Sequence, residues 1–172
     1  MGGMTPWVRR LLAANVAMFF AQQAVPLLTP TLLYIPALIL QRPWTPVTYM
    51  FLHGGFTHLL LNMIGLYFFG PPLERRLGGA HFLGIYFVSG LVAAAVMLTT
   101  PNVPVVGASG AIYGILFAYA RFWPRDRLYL WAILPVEARW LVYGLTALAV
   151  FGIVGAARGV SDGIAHHGHL GG

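Results

Sequence analysis

The chain has 172 residues, of which 59% are hydrophobic and 8% charged, against roughly 25% charged in soluble domains. That deficit excludes a water-bathed surface and points to one integral membrane domain with several spans of about 20 residues. The net charge of +6 comes entirely from arginines set between apolar stretches, a topology signal rather than a nucleic-acid-binding face. The absence of cysteine excludes disulfides and thiolate metal sites.

Arg9 and Arg10 precede a long apolar run, and the first span is expected over about 9–28. It exceeds the usual 7–15-residue h-region of a signal peptide, and no polar mature domain follows. About 30–55 is rich in Pro, Trp and Tyr (Pro30, Pro36, Pro43, Pro46, Trp44). Proline breaks helices and aromatic residues favour the interface, so this segment reads as a membrane-hugging loop with short helical pieces.

A second span is expected over about 56–73, stopped by Pro71-Pro72 and Glu74-Arg75-Arg76. A third covers about 80–99, and a fourth about 108–123. A polar segment with Arg125, Asp126, Arg127, Glu137 and Arg139 follows. The fifth span covers about 139–157. A sixth begins near Gly163 and runs to Gly172. The expected fold class is therefore all-α, a polytopic bundle of six transmembrane helices with the sixth incomplete. That helix would need about ten further residues to cross, so the sequence is expected to be cut short.

With the N-terminus inside, the inner loops hold eight arginines: Arg9, Arg10, Arg75, Arg76, Arg121, Arg125, Arg127 and Arg139. The outer loops hold two, Arg42 and Arg158. The positive-inside rule favours this orientation. It puts Ser109 near the outer end of the fourth span. His169 lies about seven residues past Asp162, roughly 10 Å deep at 1.5 Å per residue. His58 and Asn62 occupy the outer half of the second span. Polar residues at membrane depth are costly, and each is a functional candidate.

The string Gly107-Ala108-Ser109-Gly110, with Gly114 one turn on, has two readings. Small residues at this spacing form helix-packing faces in membranes. They also leave room for a substrate backbone beside a serine nucleophile, with N–H groups nearby for an oxyanion. His166, His167 and His169 could be solvated at an interface, could bind metal through the i,i+3 pair His166 and His169, or could supply a general base. Gly168, Gly171 and Gly172 let the His169 helix approach another closely. His58 and Asn62, at i,i+4, read either as interhelical glue or as an oxyanion clamp. His53 and His81 read as structural and interfacial.

Taken together, these residues resemble the rhomboid intramembrane serine proteases, from about Trp44 to the C-terminus. The resemblance rests on His53-Gly-Gly-Phe-Thr-His58-Leu-Leu-Leu-Asn62, Glu74-Arg75-Arg76, Gly107-Ala-Ser-Gly110 and Gly168-His-Leu-Gly-Gly172. It implies Ser109 as nucleophile, His169 as general base with His166 the alternate, and an oxyanion site of His58, Asn62 and the Ser109 N–H. It implies no cofactor and no triad carboxylate. The family's Trp-Arg pair in the first loop is altered here to Arg42-Pro43-Trp44-Thr45.

The expected activity is endoproteolysis of transmembrane protein substrates near the outer face of a bacterial inner membrane. Membrane lipid is the surroundings; no nucleic-acid partner is expected, and the sequence leaves the oligomeric state open. Two other classes compete: a catalytically silent rhomboid-like protein that binds client helices, and a histidine-lined metal carrier.

Overall fold

The structure is a computed structural model and describes residues 3–130, 133–157 and 166–172. It is mostly helical. The long helices are α1 (Pro6–Ala24), α4 (Phe56–Leu77), α5 (Gly79–Val96), α6 (Ser109–Phe122) and α7 (Ala138–Ala157). Short helices α2 (Leu28–Leu32), α3 (Thr45–Thr48) and α8 (His166–Gly171) complete the set, with 3-10 turns at Pro36–Leu38, Tyr49–Phe51 and Met97–Thr99. Of the sixth span expected from about 163, residues 163–165 lie outside the described residues.

Two features differ from the expected elements, the first of them from the all-α class. The segment between α6 and α7 folds into an antiparallel hairpin of β1 (Arg127–Leu130) and β2 (Leu134–Glu137), pairing Arg127 with Glu137 and Leu128 with Val136. Alternating polar and apolar residues in Arg127-Leu128-Tyr129 suit a strand, and charge content alone hid that alternation. Helix α4 also continues through Pro71 and Pro72 to Leu77. These prolines cost two helical N–H donors, and the helix persists because its far end is held in place. Glu74, 6% exposed, accepts the N–H groups of Trp7 and Val8, each at 3.0 Å. Those N–H groups belong to the first turn of α1, which lacks intrahelical partners and carries the positive end of the helix dipole. Pro6, at the first helical position of α1, has no N–H to satisfy.

Gly78, at φ +81°, reverses the chain between α4 and α5 in a single residue. The core runs between α1, α4, α5 and α6, around Val8, Leu66, Leu73, Phe82, Tyr86 and Ile115. The outer faces are apolar as well: Phe56, Leu61 and Phe68 on α4 and Phe151 on α7 are each more than 60% exposed. A soluble protein rarely shows apolar area on this scale. Among the described residues, Gly79–Thr99 and Ala138–Gly155 are long and apolar enough to cross a membrane. At 14 residues α6 is about 21 Å long, shorter than a bilayer core of about 30 Å.

The proline-rich loop is tied into the bundle by its backbone. Tyr34 and Val105 exchange hydrogen bonds at 3.1 and 2.8 Å, and the Gly107 N–H donates to the Tyr49 carbonyl at 2.9 Å. The hydroxyls of Tyr34 and Tyr49 donate to the carbonyls of Ala94 and Gly90 on α5. The segment leading to Ser109 is thus braced on both sides.

Candidate active site

Ser109 is the first residue of α6, and the loop before it makes a sharp turn. Gly107 there has φ +126°, a conformation that L side chains rarely adopt. A Cβ at this position would also lie 2.7 Å from both Cε1 and Nε2 of His58, and 3.8 Å from Ser109 Oγ. Gly107 is therefore required twice, for its backbone and for the space it leaves. The same contact puts the His58 ring and the serine oxygen on either side of one small gap.

His169, on α8, closes that gap from the other side. Its Nε2 lies 2.9 Å from Ser109 Oγ, a hydrogen-bond distance suited to proton transfer. The ring stacks on Tyr113, with centroids 4.7 Å apart and planes 18° from parallel. Tyr113 is one turn beyond Ser109 on α6, so a single helix carries the serine and the plate that orients its partner. The helices come close because their contact is backbone on backbone: a Cβ on Gly172 would collide with the Gly110 carbonyl, and one on Gly171 with α5 at Ala93. Of the three glycines expected to permit close approach, Gly171 and Gly172 make it, whereas a Cβ on Gly168 would meet only Met97 at an ordinary 3.6 Å. The side chain of His166, the alternate base, lies outside the described residues.

On α4, His58 Nδ1 accepts the Gly54 N–H across a long 3.4 Å. In the neutral ring this leaves the proton on Nε2, one of the two ring atoms nearest Gly107. Asn62 is 6% exposed, and its Nδ2 has no hydrogen-bond partner among the described residues. A buried donor without an acceptor costs about 1–3 kcal/mol. Helices α4 and α6 run parallel here: His58 meets Gly107, and further along Gly65 meets Ile112. Asn62 lies on α4 between His58 and Gly65, the residues that make these two contacts. The first N–H groups of α6 also lack intrahelical partners. The site thus gathers a serine, an imidazole in contact with it, and several N–H donors.

The sequence reading passed over two residues here. Tyr113 is one; its signal was the i,i+4 spacing from Ser109. Gln22 on α1 is another. Its amide oxygen accepts the His53 N–H at 3.0 Å, and its Nε2 donates to the His53 carbonyl at 3.4 Å and to Thr29 Oγ1 at 3.0 Å. No local pattern marks such a contact. His53 itself was read as structural, and it is 2% exposed, edge-on to His58 with centroids 5.2 Å apart. Burial first, and the neighbouring His58 second, push its pKa down to about 4. Both of its ring nitrogens are buried without a hydrogen-bond partner among the described residues. No group of three or more His, Cys, Asp or Glu able to hold a metal occurs among the described residues.

A helical bundle with apolar outer faces and a serine–histidine contact at one end defines a class of integral membrane protein with hydrolase-like groups. The Rhomboid domain family matches residues 40–172, and the chain belongs to that family, whose members are integral membrane proteins. The putative rhomboid protease YdcA of Bacillus subtilis is 46% identical over 78 residues, 44% of this chain and 39% of its own. Rhomboid-related protein 3 of Homo sapiens is 40% identical over 91 residues, 52% of this chain and 22% of its own. Rhomboid protease GluP of Bacillus subtilis is 37% identical over 75 residues, 44% of this chain and 15% of its own. The chain thus spans well under half the length of these relatives.

Proposed function

We propose that the chain is an intramembrane serine endopeptidase that cuts transmembrane protein substrates through a Ser109–His169 dyad. The observation that carries this reading is the 2.9 Å approach of His169 Nε2 to Ser109 Oγ. His169 Nε2 takes the hydroxyl proton as Ser109 Oγ bonds to the scissile carbonyl carbon. The electron pair of the C=O bond moves onto oxygen, where His58 Nε2–H, Asn62 Nδ2–H and the Ser109 N–H donate to it. Each such donor is worth about 10²–10³ in rate. The imidazolium then protonates the departing amine, and water, activated by the same ring, hydrolyses the acyl ester. Stacking on Tyr113 keeps the ring aimed at the serine between these steps.

A substrate helix hides its carbonyls in its own hydrogen bonds, so it must unwind locally before attack. Small or helix-destabilising residues near the cut ease that step. The protein is read as six-spanning in a bacterial inner membrane. The arginine count supports an N-terminus in the cytoplasm and a dyad toward the outer face.

The test is cleavage of a single-span substrate in proteoliposomes. Ser109→Ala and His169→Ala should each lower the rate by at least about a thousandfold. A Ser109→Ala protein that cleaves at the wild-type rate would refute the proposal.

A further inference from the structure

The end of the bundle remote from Ser109 carries most of the charge. Helix α6 ends in Arg121 at the opposite end from the serine, and Arg125, Arg127 and Arg139 follow within 18 residues. Between α6 and α7 at this end lies an open groove of about 480 Å³, within the size range of small-molecule pockets. Phe117, Ala120 and Arg121 line one wall; Arg139, Val142 and Tyr143 line the other. Each set has i, i+3, i+4 spacing, so one face of each helix contributes it. The groove is thus cationic at its mouth and apolar along its length.

We infer that this groove binds one anionic phospholipid, with its phosphate between Arg121 and Arg139 and an acyl chain along Phe117 and Val142. Charge complementarity identifies the occupant. Arg139 is paired with Glu137 at 2.7 Å, and its side chain, 39% exposed, still lines the groove. Arg121 is exposed and makes no ion pair among the described residues. The other acidic side chain nearby, Asp126, is engaged by the Tyr119 hydroxyl at 2.8 Å. Two guanidinium groups therefore face a groove to which the protein brings too little negative charge. Arginine forks match phosphate geometry, and basic pockets between helix ends at a membrane surface suit anionic headgroups. Exposed Trp140 and Tyr143 sit at the same level, as aromatic residues do at headgroup depth. The apolar walls favour a lipid over a free phosphate, which gains nothing from them.

Native mass spectrometry of the detergent-purified chain, titrated with phosphatidylglycerol or phosphatidylcholine, tests this. The wild type should retain one phosphatidylglycerol and release phosphatidylcholine. Arg121→Gln and Arg139→Gln should each weaken retention about fivefold, and together about thirtyfold. Arg125→Gln, an exposed arginine that does not line the groove, should change it less than twofold. Ala120→Trp fills the groove and keeps both charges, and it should abolish retention. If the double variant fails to fold, the exposed Arg121 single variant carries the comparison. Equal retention of both lipids, or retention unaffected by Arg121→Gln, would overturn the inference. So would full retention in Ala120→Trp, which means a surface patch, or displacement by millimolar glycerol 1-phosphate, which means a phosphate site.

Discussion

Substituting Gly107 by alanine probes the geometry of the site most sharply. The residue sits at φ +126°, and imposing a Cβ on such a backbone costs about 1–3 kcal/mol. The new methyl would lie 2.7 Å from two atoms of the His58 ring, an overpacking contact worth a further 1–3 kcal/mol or so. Gly107→Ala should therefore lose about 2–6 kcal/mol, a large share of a typical net stability of about 5–15 kcal/mol. The His58 ring must swing away from the serine, and losing that donor should lower kcat by about 10²–10³ with little change in KM. Thermal unfolding and substrate-cleavage kinetics read the two effects. A double-mutant cycle separates the causes: in a His58→Ala background the ring is gone and only the backbone share should remain. The coupling between the sites should be about 1–3 kcal/mol. A wild-type melting curve for Gly107→Ala, or an undiminished penalty in the His58→Ala background, would refute the reasoning.

Other substitutions test other contacts. Glu74→Gln leaves one oxygen for the two N–H groups of Trp7 and Val8, and should cost about 1–3 kcal/mol in thermal unfolding. Tyr113→Phe keeps the ring stacked on His169 and should retain activity within about threefold, whereas Tyr113→Ala should lose about tenfold, measured as kcat. The His53 pKa of about 4 lies below the ordinary 6.5, so the folded state binds a proton less readily than the unfolded chain. Its contribution is complete above about pH 6.5 and is lost as pH falls through 4, by up to about 3 kcal/mol. Unfolding measured across that range should lose this slope in His53→Leu; an unchanged slope would assign the pH dependence to other groups.

Local patterns carried much of the architecture into view. Apolar runs broken by arginine and proline marked the helices, because hydrocarbon excludes charge and proline lacks a donor. The candidate site residues stood out for a related reason: Ser109, His58 and His169 are polar groups inside apolar, glycine-rich strings. What stayed hidden depends on contacts distant in sequence. Gln22 reaches His53 across 31 positions, and Glu74 reaches Trp7 across 67. The latter contact anchors α4 beyond Pro71-Pro72, where proline rules alone end the helix. The hairpin was masked because its arginines drew attention to charge rather than to alternation. Tyr113 was masked because an aromatic residue on an apolar helix is ordinary until a histidine stacks on it.

Reaction with a fluorophosphonate tests the proposed dyad without knowledge of the substrate. The reagent bonds to a serine oxygen only when a nearby base makes that oxygen nucleophilic. The chain in proteoliposomes should become phosphonylated at Ser109, as read by peptide mass spectrometry. Labelling should vanish in Ser109→Ala and fall at least about a hundredfold in His169→Ala. Equal labelling of wild type and Ser109→Ala, or a folded wild-type chain that takes up no label, would contradict the dyad.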